Sequence, residues 1–227
     1  MKHDDEIRKN VMEEIQWDPQ LTKIAPQIGV TVKNEDVTLS GTVDYYGQKL
    51  AAEKAAKRVK DVKVVAMDIE VKSAGLSDIA TDSKIAEAVR NALTWHSAVN
   101  EDLINIKVEN GWIYLEGRVD WEYERKAAQH AVEYLQGVKG VINSVTIKPK
   151  QVEPNDVKKK IRAAFHRHAT VDSANVKVAA AGGTVMLTGQ VRSWTERKDA
   201  EDVVWSMPGV TKVENKLEVG HEIYAGE

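Results

Sequence analysis

The chain has 227 residues, of which 42% are hydrophobic and 30% charged, with a net charge of -3 and no cysteine. This is an ordinary globular composition; it excludes disulfides and thiolate metal sites and argues against nucleic acid as a partner of the whole surface. No apolar run approaches the roughly 18 residues that span a bilayer, so no transmembrane segment is expected. The start MKHDDEIRKN lacks an apolar export core, which places the chain as written in the cytoplasm, or in the periplasm if a signal was removed upstream.

The first predicted element is a helix, because Ile7, Val11 and Ile15 recur every four residues with polar positions between them. Trp17-Asp18-Pro19 ends it, since proline cannot continue a helix and restricts the residue before it. After Leu21 comes an alternating run, Ile28-Val30-Val32, then a turn at Asn34-Glu35-Asp36 and a second strand, LSGTV, from Leu39 to Val43. An alanine-rich helix from Gln48 to Lys60 and a strand marked by Val62, Val65 and Ile69 complete the series.

The same elements then return twice. LEGRV at Leu115–Val119 and LTGQV at Leu187–Val191 repeat LSGTV, and the glycines Gly41, Gly117 and Gly189 lie 76 and 72 residues apart. Opening helices recur at Ile85, Val89, Leu93 and at Val157, Ile161, Phe165, with Asp82 and Asp156 placed to accept first-turn N–H groups. The alternating runs return at Ile104-Ile106-Val108 and Val176-Val178, with turns at Asn110-Gly111 and Gly182-Gly183. Alanine-rich helices follow at Glu124–Gln136 and Glu196–Met207, capped by Gly137 and Gly209 where the first copy has Asp61. The first copy carries two extra residues around Pro26, in a connection where insertion costs little. The expected fold class is therefore α+β: three tandem α-β-β-α-β modules, each a three-stranded mixed sheet covered on one face by two helices. Their bounds are 1–74, 80–149 and 153–220, with a tail at 221–227, and the connections fall near 73–81 and 149–154.

Helix, hairpin with LxGxV, alanine-rich helix and a closing GV-x-x-V-x-N-x-L-x-V resemble the BON domain, named for bacterial osmotically induced and nodulation-associated proteins. The closing motif is fullest in the third copy, at Gly209-Val210, Val213, Asn215, Leu217 and Val219. The second has Gly137-Val138, Val141, Asn143 and Val145, whereas the first departs from it with Asp61 and Ala66-Met67. The resemblance implies association with the bacterial envelope or a stress response, a capacity to bind phospholipid, and no characteristic active site or cofactor.

The residues themselves offer no nucleophile elbow, phosphate loop or zinc motif. His166 and His168, two apart on a predicted helix, diverge and make a poor metal pair, so no metal site is expected. A basic stripe is more suggestive: Lys158, Lys159, Lys160, Arg162 and Arg167 surround the apolar positions of the third opening helix. Lys54, Lys57, Arg58, Lys60 and Lys63 do so at the second helix of the first copy. These faces are either solvated or attracted to anionic lipid. Aromatic usage is skewed to six Trp and six Tyr against one Phe, and the tryptophans are candidates for contacts between modules. Tyr45, Tyr46, Trp121, Tyr123 and Trp194 gather at one corner, ahead of each second helix. That corner is either a staple closing the hairpin on its own helix or a surface for a partner. Gly41, Gly117 and Gly189 are structural where a packing clash excludes a side chain; the alternative is close approach of a ligand. The expected partners are an anionic phospholipid surface or an envelope protein, with homo-oligomerisation possible.

Overall fold

A computed structural model of the chain describes residues 2–72, 81–149, 154–167, 171 and 174–220. The connections expected near 73–81 and 149–154, the tail at 221–227 and His168 lie wholly or largely outside the described residues. The first module runs α1 (Lys2–Trp17), β1 (Ile28–Lys33), β2 (Asp36–Val43), α2 (Tyr46–Arg58) and β3 (Val64–Val71). The second runs α3 (Asp82–Trp95), β4 (Ile104–Glu109), β5 (Trp112–Val119), α4 (Glu122–Val132) and β6 (Gly140–Ile147). In the third the series is α5 (Pro154–Arg167), β7 (Val176–Ala181), β8 (Thr184–Val191), α6 (Trp194–Trp205) and β9 (Lys212–Val219). The fold is α+β, three modules with one three-stranded mixed sheet each.

In every sheet the middle strand in sequence is also the middle strand in space. β1 and β2 form an antiparallel hairpin, Lys33 opposite Asp36, and β3 returns parallel to β2, Asp36 opposite Val64. The third sheet repeats this register with Ala181 opposite Thr184 and Thr184 opposite Lys212. A parallel return needs a crossover, and α2, α4 and α6 supply it. The opening helix packs beside the crossover helix on the same side, so one sheet face is covered and the other is open.

Alternation decides which side chains the helices cover. Val37, Leu39 and Val43 of β2 are buried, while Asp36 and Thr42 point out. Ile7, Val11 and Ile15 of α1 and Ala51, Ala52, Ala55 and Ala56 of α2 meet them in one core. The small alanines let α2 lie close to the sheet, which is the role their spacing predicts. Ile85, Val89, Leu93, Ile113 and Leu115 do the same in the second module, and Ile161, Phe165, Val185 and Leu187 in the third.

Gly41, Gly117 and Gly189 break the alternation for a steric reason. Each has positive φ, 119°, 151° and 126°, and a Cβ on each would collide with a main-chain carbonyl oxygen: Gln27, Leu103 and Asn175 respectively. These oxygens belong to the peptide that enters the first strand, so the obstacle is that connection rather than a helix. A second left-handed position follows each crossover helix: Gly137 (φ 83°) and Gly209 (φ 87°), but Asp61 (φ 72°) in the first module. A non-glycine residue there costs roughly 1 kcal/mol.

Two local expectations are corrected. The crossover helices begin two residues earlier than the alanine pattern predicts, at Tyr46, Glu122 and Trp194, because the third helical residue reaches back to close the end. Gln48 accepts from the N–H groups of Asp44 (3.0 Å) and Tyr45 (3.1 Å), and Glu124 from Asp120 (2.9 Å) and Trp121 (2.8 Å). Nor does Asp82 cap its own helix: Thr81 does, accepting from the N–H of Lys84 at 3.4 Å. The Asp82 carboxylate instead receives the N–H groups of Asn110 (2.8 Å) and Gly111 (2.9 Å), tying the helix start to the hairpin turn. Asp4 takes the N–H of Glu35 in the same way, at 3.1 Å.

The first two modules form one compact unit, 1–146, and residues 147–227 a second. Inside the first unit, Gly47 donates its N–H to the Glu133 carbonyl at 2.8 Å, and the Tyr134 hydroxyl donates to Gln20 Oε1 at 2.6 Å. The Tyr134 ring occupies the space a Cβ on Gly47 would need. Tyrosines make this contact; Trp17 and Trp95, expected as contact residues, stand 81% and 85% exposed.

Candidate functional site

No group of three or more His, Asp, Glu or Cys among the described residues could hold a metal, and no helix among them is long and apolar enough to cross a membrane. The chemistry on display is on surfaces, and four of them stand out among the described residues.

The first is the aromatic corner. Tyr46, expected at an interface, is partly buried against the second module, where the backbone N–H of Val141 bonds its hydroxyl. Burial, followed by the nearby carboxylate of Glu133, raises its pKa above the usual phenol range. The Tyr134 hydroxyl is raised for the same reasons, with Asp18 adding to Glu133. Tyr45 and Tyr123 stay 39% and 60% exposed, and Trp194 stacks under the Arg197 guanidinium at 5.3 Å. The corner frames the start of each crossover helix, with Tyr45 and Trp121 as the residue before it and Trp194 as its first residue, and it makes a contact in the first module. Trp121 is the residue before α4, its N–H held by Glu124.

The second surface is basic, and here two predicted patches diverge. In the first module Lys57 pairs with Glu53 at 2.5 Å and Arg58 with Glu14 (2.8 Å) and Asp18 (3.2 Å). Lys63 pairs with Glu35 at 2.5 Å, and only Lys54 and Lys60 of that patch are exposed without a carboxylate partner among the described residues. Arg58 is held even more firmly protonated than usual: its bonds to Glu14 and Asp18 outweigh the opposing effect of its partial burial. On α5 the outcome differs. Lys159, Lys160, Arg162 and Arg167 are exposed and Lys158 half-buried, and none of the five pairs with a carboxylate among the described residues. The charge pattern of the two helices looks alike in sequence; the acids that meet the first patch are Glu53 on α2 itself, Glu14 on α1, Asp18 just after it and Glu35 in the hairpin turn.

The third surface is the open sheet face, which the sequence reading passed over. In the second module it carries Trp112 and Ile142, 42% and 41% exposed, with the Trp112 ring lying over Gly140. Lys107 stands over the Tyr114 ring at 5.3 Å. Strand parity was the available signal: Trp112 and Tyr114 alternate with the buried Ile113 and Leu115.

The fourth is a hollow between the opening helix and the first strand, described in the first and third modules. In the first module it encloses about 260 Å³ and is lined mainly by Met12, Ile15, Thr22, Pro26, Ile28 and Val30. In the third it encloses about 300 Å³, lined by Arg162, Phe165, His166, Ala174, Val176 and Lys177. In the second module the Thr94 hydroxyl donates to the Glu101 carboxylate across the corresponding place.

The repeat architecture and its motifs have a counterpart in known proteins: the model of the BON domain matches residues 3–73, 81–149 and 155–221. The chain belongs to the BON family. Among curated proteins, this BON chain is 30% identical over 127 residues to an uncharacterized protein in the gshII 5'region of Anaplasma centrale, covering 55% of the chain and 84% of that protein. It is 27% identical over 124 residues to the osmotically-inducible protein Y of Escherichia coli strain K12, covering 53% of the chain and 62% of that protein's length. Two solved structures of CdsD, a structural protein of the type III secretion system of Chlamydia trachomatis, are similar at 15% identity. Their TM-scores are 0.27 and 0.28, over 94% and 96% of this chain and 96% and 94% of theirs.

Proposed function

We propose that this BON protein associates with anionic phospholipid at the bacterial envelope during stress, acting through module surfaces and without catalysis. The observation that carries the reading is the unneutralised basic face of α5: Lys158, Lys159, Lys160, Arg162 and Arg167 without carboxylate partners among the described residues. Each such side chain contributes on the order of 1 kcal/mol near an anionic surface, so the group supports weak, salt-sensitive attachment of about 5 kcal/mol. The patch on α2 is largely neutralised by Glu14, Asp18, Glu35 and Glu53 and has a lesser part in this reading. Trp17 and Trp95, both prominently exposed at helix ends, are of a kind that settles at lipid headgroup level.

Flotation with vesicles of phosphatidylglycerol and of phosphatidylcholine tests the proposal. At low salt the chain is expected to float with the anionic vesicles only, and the variant K158Q/K159Q/K160Q to lose most of that attachment. Equal behaviour with both vesicle types would reject it.

A second reading, a scaffold that binds other proteins through its aromatic surfaces, is supported by the exposure of Tyr123 at 60%. It differs in its salt response, since apolar contact persists where charge attraction is screened.

A further inference from the structure

The hollow of the third module has a composition that its fold does not demand. Arg162 and His166 lie one turn apart on α5 and Lys177 faces them from β7, around a cavity of about 300 Å³. Its floor is apolar: Phe165 is 1% and Val176 6% exposed. No carboxylate lines it among the described residues.

The repeats provide an internal control. At the position of Arg162 the first and second modules have Met12 and Arg90; at His166 they have Gln16 and Thr94; at Lys177, Gly29 and Asn105. Ala174, which also lines it, is matched by Pro26 and Asp102. The same backbone is therefore built without this trio of basic side chains. The first module turns the hollow into a largely apolar slot, and the second carries Glu101 and Asp102 beside Arg90 in the corresponding stretch. Three basic groups converge on an apolar floor in the third module only.

We infer that this cavity is a discrete site for a single phosphate ester that carries an apolar portion, the headgroup end of an anionic phospholipid. A guanidinium can present two parallel N–H donors to a phosphate, with the imidazole and ammonium adding further donors from the flanks. Small-molecule sites usually begin at about 300 Å³, more room than a bare phosphate requires. Phe165 and Val176 at its base offer an apolar contact for the glycerol and first acyl carbons of such a ligand. The inference rests on the phospholipid reading above, and it replaces a diffuse attraction with one stoichiometric place.

The test uses the full chain and dihexanoyl phosphatidylglycerol below its micellar concentration, followed by calorimetry, with inorganic phosphate and dihexanoyl phosphatidylcholine as comparison probes. The variant R162M/H166Q/K177N, which borrows residues the other modules carry at these positions, is expected to bind the short-chain anionic lipid about tenfold more weakly or worse. K158Q/K159Q/K160Q is expected to keep that binding within about twofold while losing vesicle flotation. Equal loss in both variants would overturn the site, reducing it to general charge attraction; so would inorganic phosphate binding as tightly as the lipid, which leaves the apolar floor without a role. Vesicle flotation by the wild type without binding of the soluble lipid overturns the site and leaves the membrane reading standing. Soluble-lipid binding lost in R162M/H166Q/K177N, without flotation, supports the site and removes the membrane reading.

Discussion

In the first module the hollow beside the opening helix is walled by Met12, Ile15 and Ile28, whereas in the third the corresponding walls carry Arg162, His166 and Lys177. The strands that frame the two hollows pair in one register, each set by a two-residue hairpin. The left-handed positions diverge in the same sense. Asn34, Glu35 and Asp61 of the first module take the positive φ that Gly182, Gly183 and Gly209 take in the third, and the acids at Glu35 and Asp61 are met by Lys63 and His3. What is constant is the backbone with its buried apolar positions. What varies is most of the side chains that neither the core nor the turns and helix starts claim, and this is where separate binding properties can be written onto equivalent units.

The strongest way to break that comparison is at the shared strand glycine. Gly41→Ala and Gly189→Ala are each expected to destabilise their module by about 3 kcal/mol, since the added methyl meets a main-chain oxygen that cannot swing aside. Urea unfolding of the full chain checks this, and a mild effect in one module alone would show that the scaffold is not equivalent in both. Next comes the contact that belongs to the first unit. Tyr134→Ala removes a ring packed on Gly47 and a hydrogen bond to Gln20, for an expected cost of about 1–2 kcal/mol. Ser206→Ala, at the matching position of the third module, is expected to cost less.

A smaller change sharpens the comparison in the opposite direction. Asp61→Gly gives the first module the residue that its copies use at φ near 72–87°, and a stabilisation of about 0.5–1 kcal/mol is expected from relieved backbone strain, seen as a raised urea midpoint. The smallest effect concerns pH. The Asp4 carboxyl is held below its ordinary value chiefly by the N–H of Glu35. Its stabilising contribution is therefore complete above the unfolded-state value and lost as pH falls through the depressed one. Asp4→Asn should flatten the acid limb of the first module's stability, as pH falls below the ordinary carboxylate range. An unchanged acid limb would mean that the Asp4–Glu35 bond contributes nothing.

Much of the fold was readable because its signals are local. Ile7, Val11 and Ile15 mark one face of a helix, Asn110-Gly111 marks a turn, and the LxGxV strand repeats in register. The misread parts depend on residues distant in the chain. Asp82 looks like a helix cap until the turn 28 residues later is folded against it. Arg58 looks like a free surface cation until Glu14 and Asp18 arrive from 44 and 40 residues before it. The Gly47–Tyr134 contact joins two modules and leaves no local pattern at all. For the candidate site the same rule holds: the basic face of α5 was visible as a run of charges. The cavity was not, because Lys177 joins Arg162 and His166 only when β7 lies alongside the helix.

The strand-entry peptide, pinned where its carbonyl rests on the naked strand position, works as a mechanical stop. Chain added upstream of it, as around Pro26 in the first copy, cannot push the hairpin out of step, so its length is free to change. Because that same stretch forms the rim of the hollow, lengthening or shortening it resizes the opening while the sheet stays fixed. Cassettes exchanged among the three copies at this point would be a direct route to altered ligand choice on an undisturbed frame.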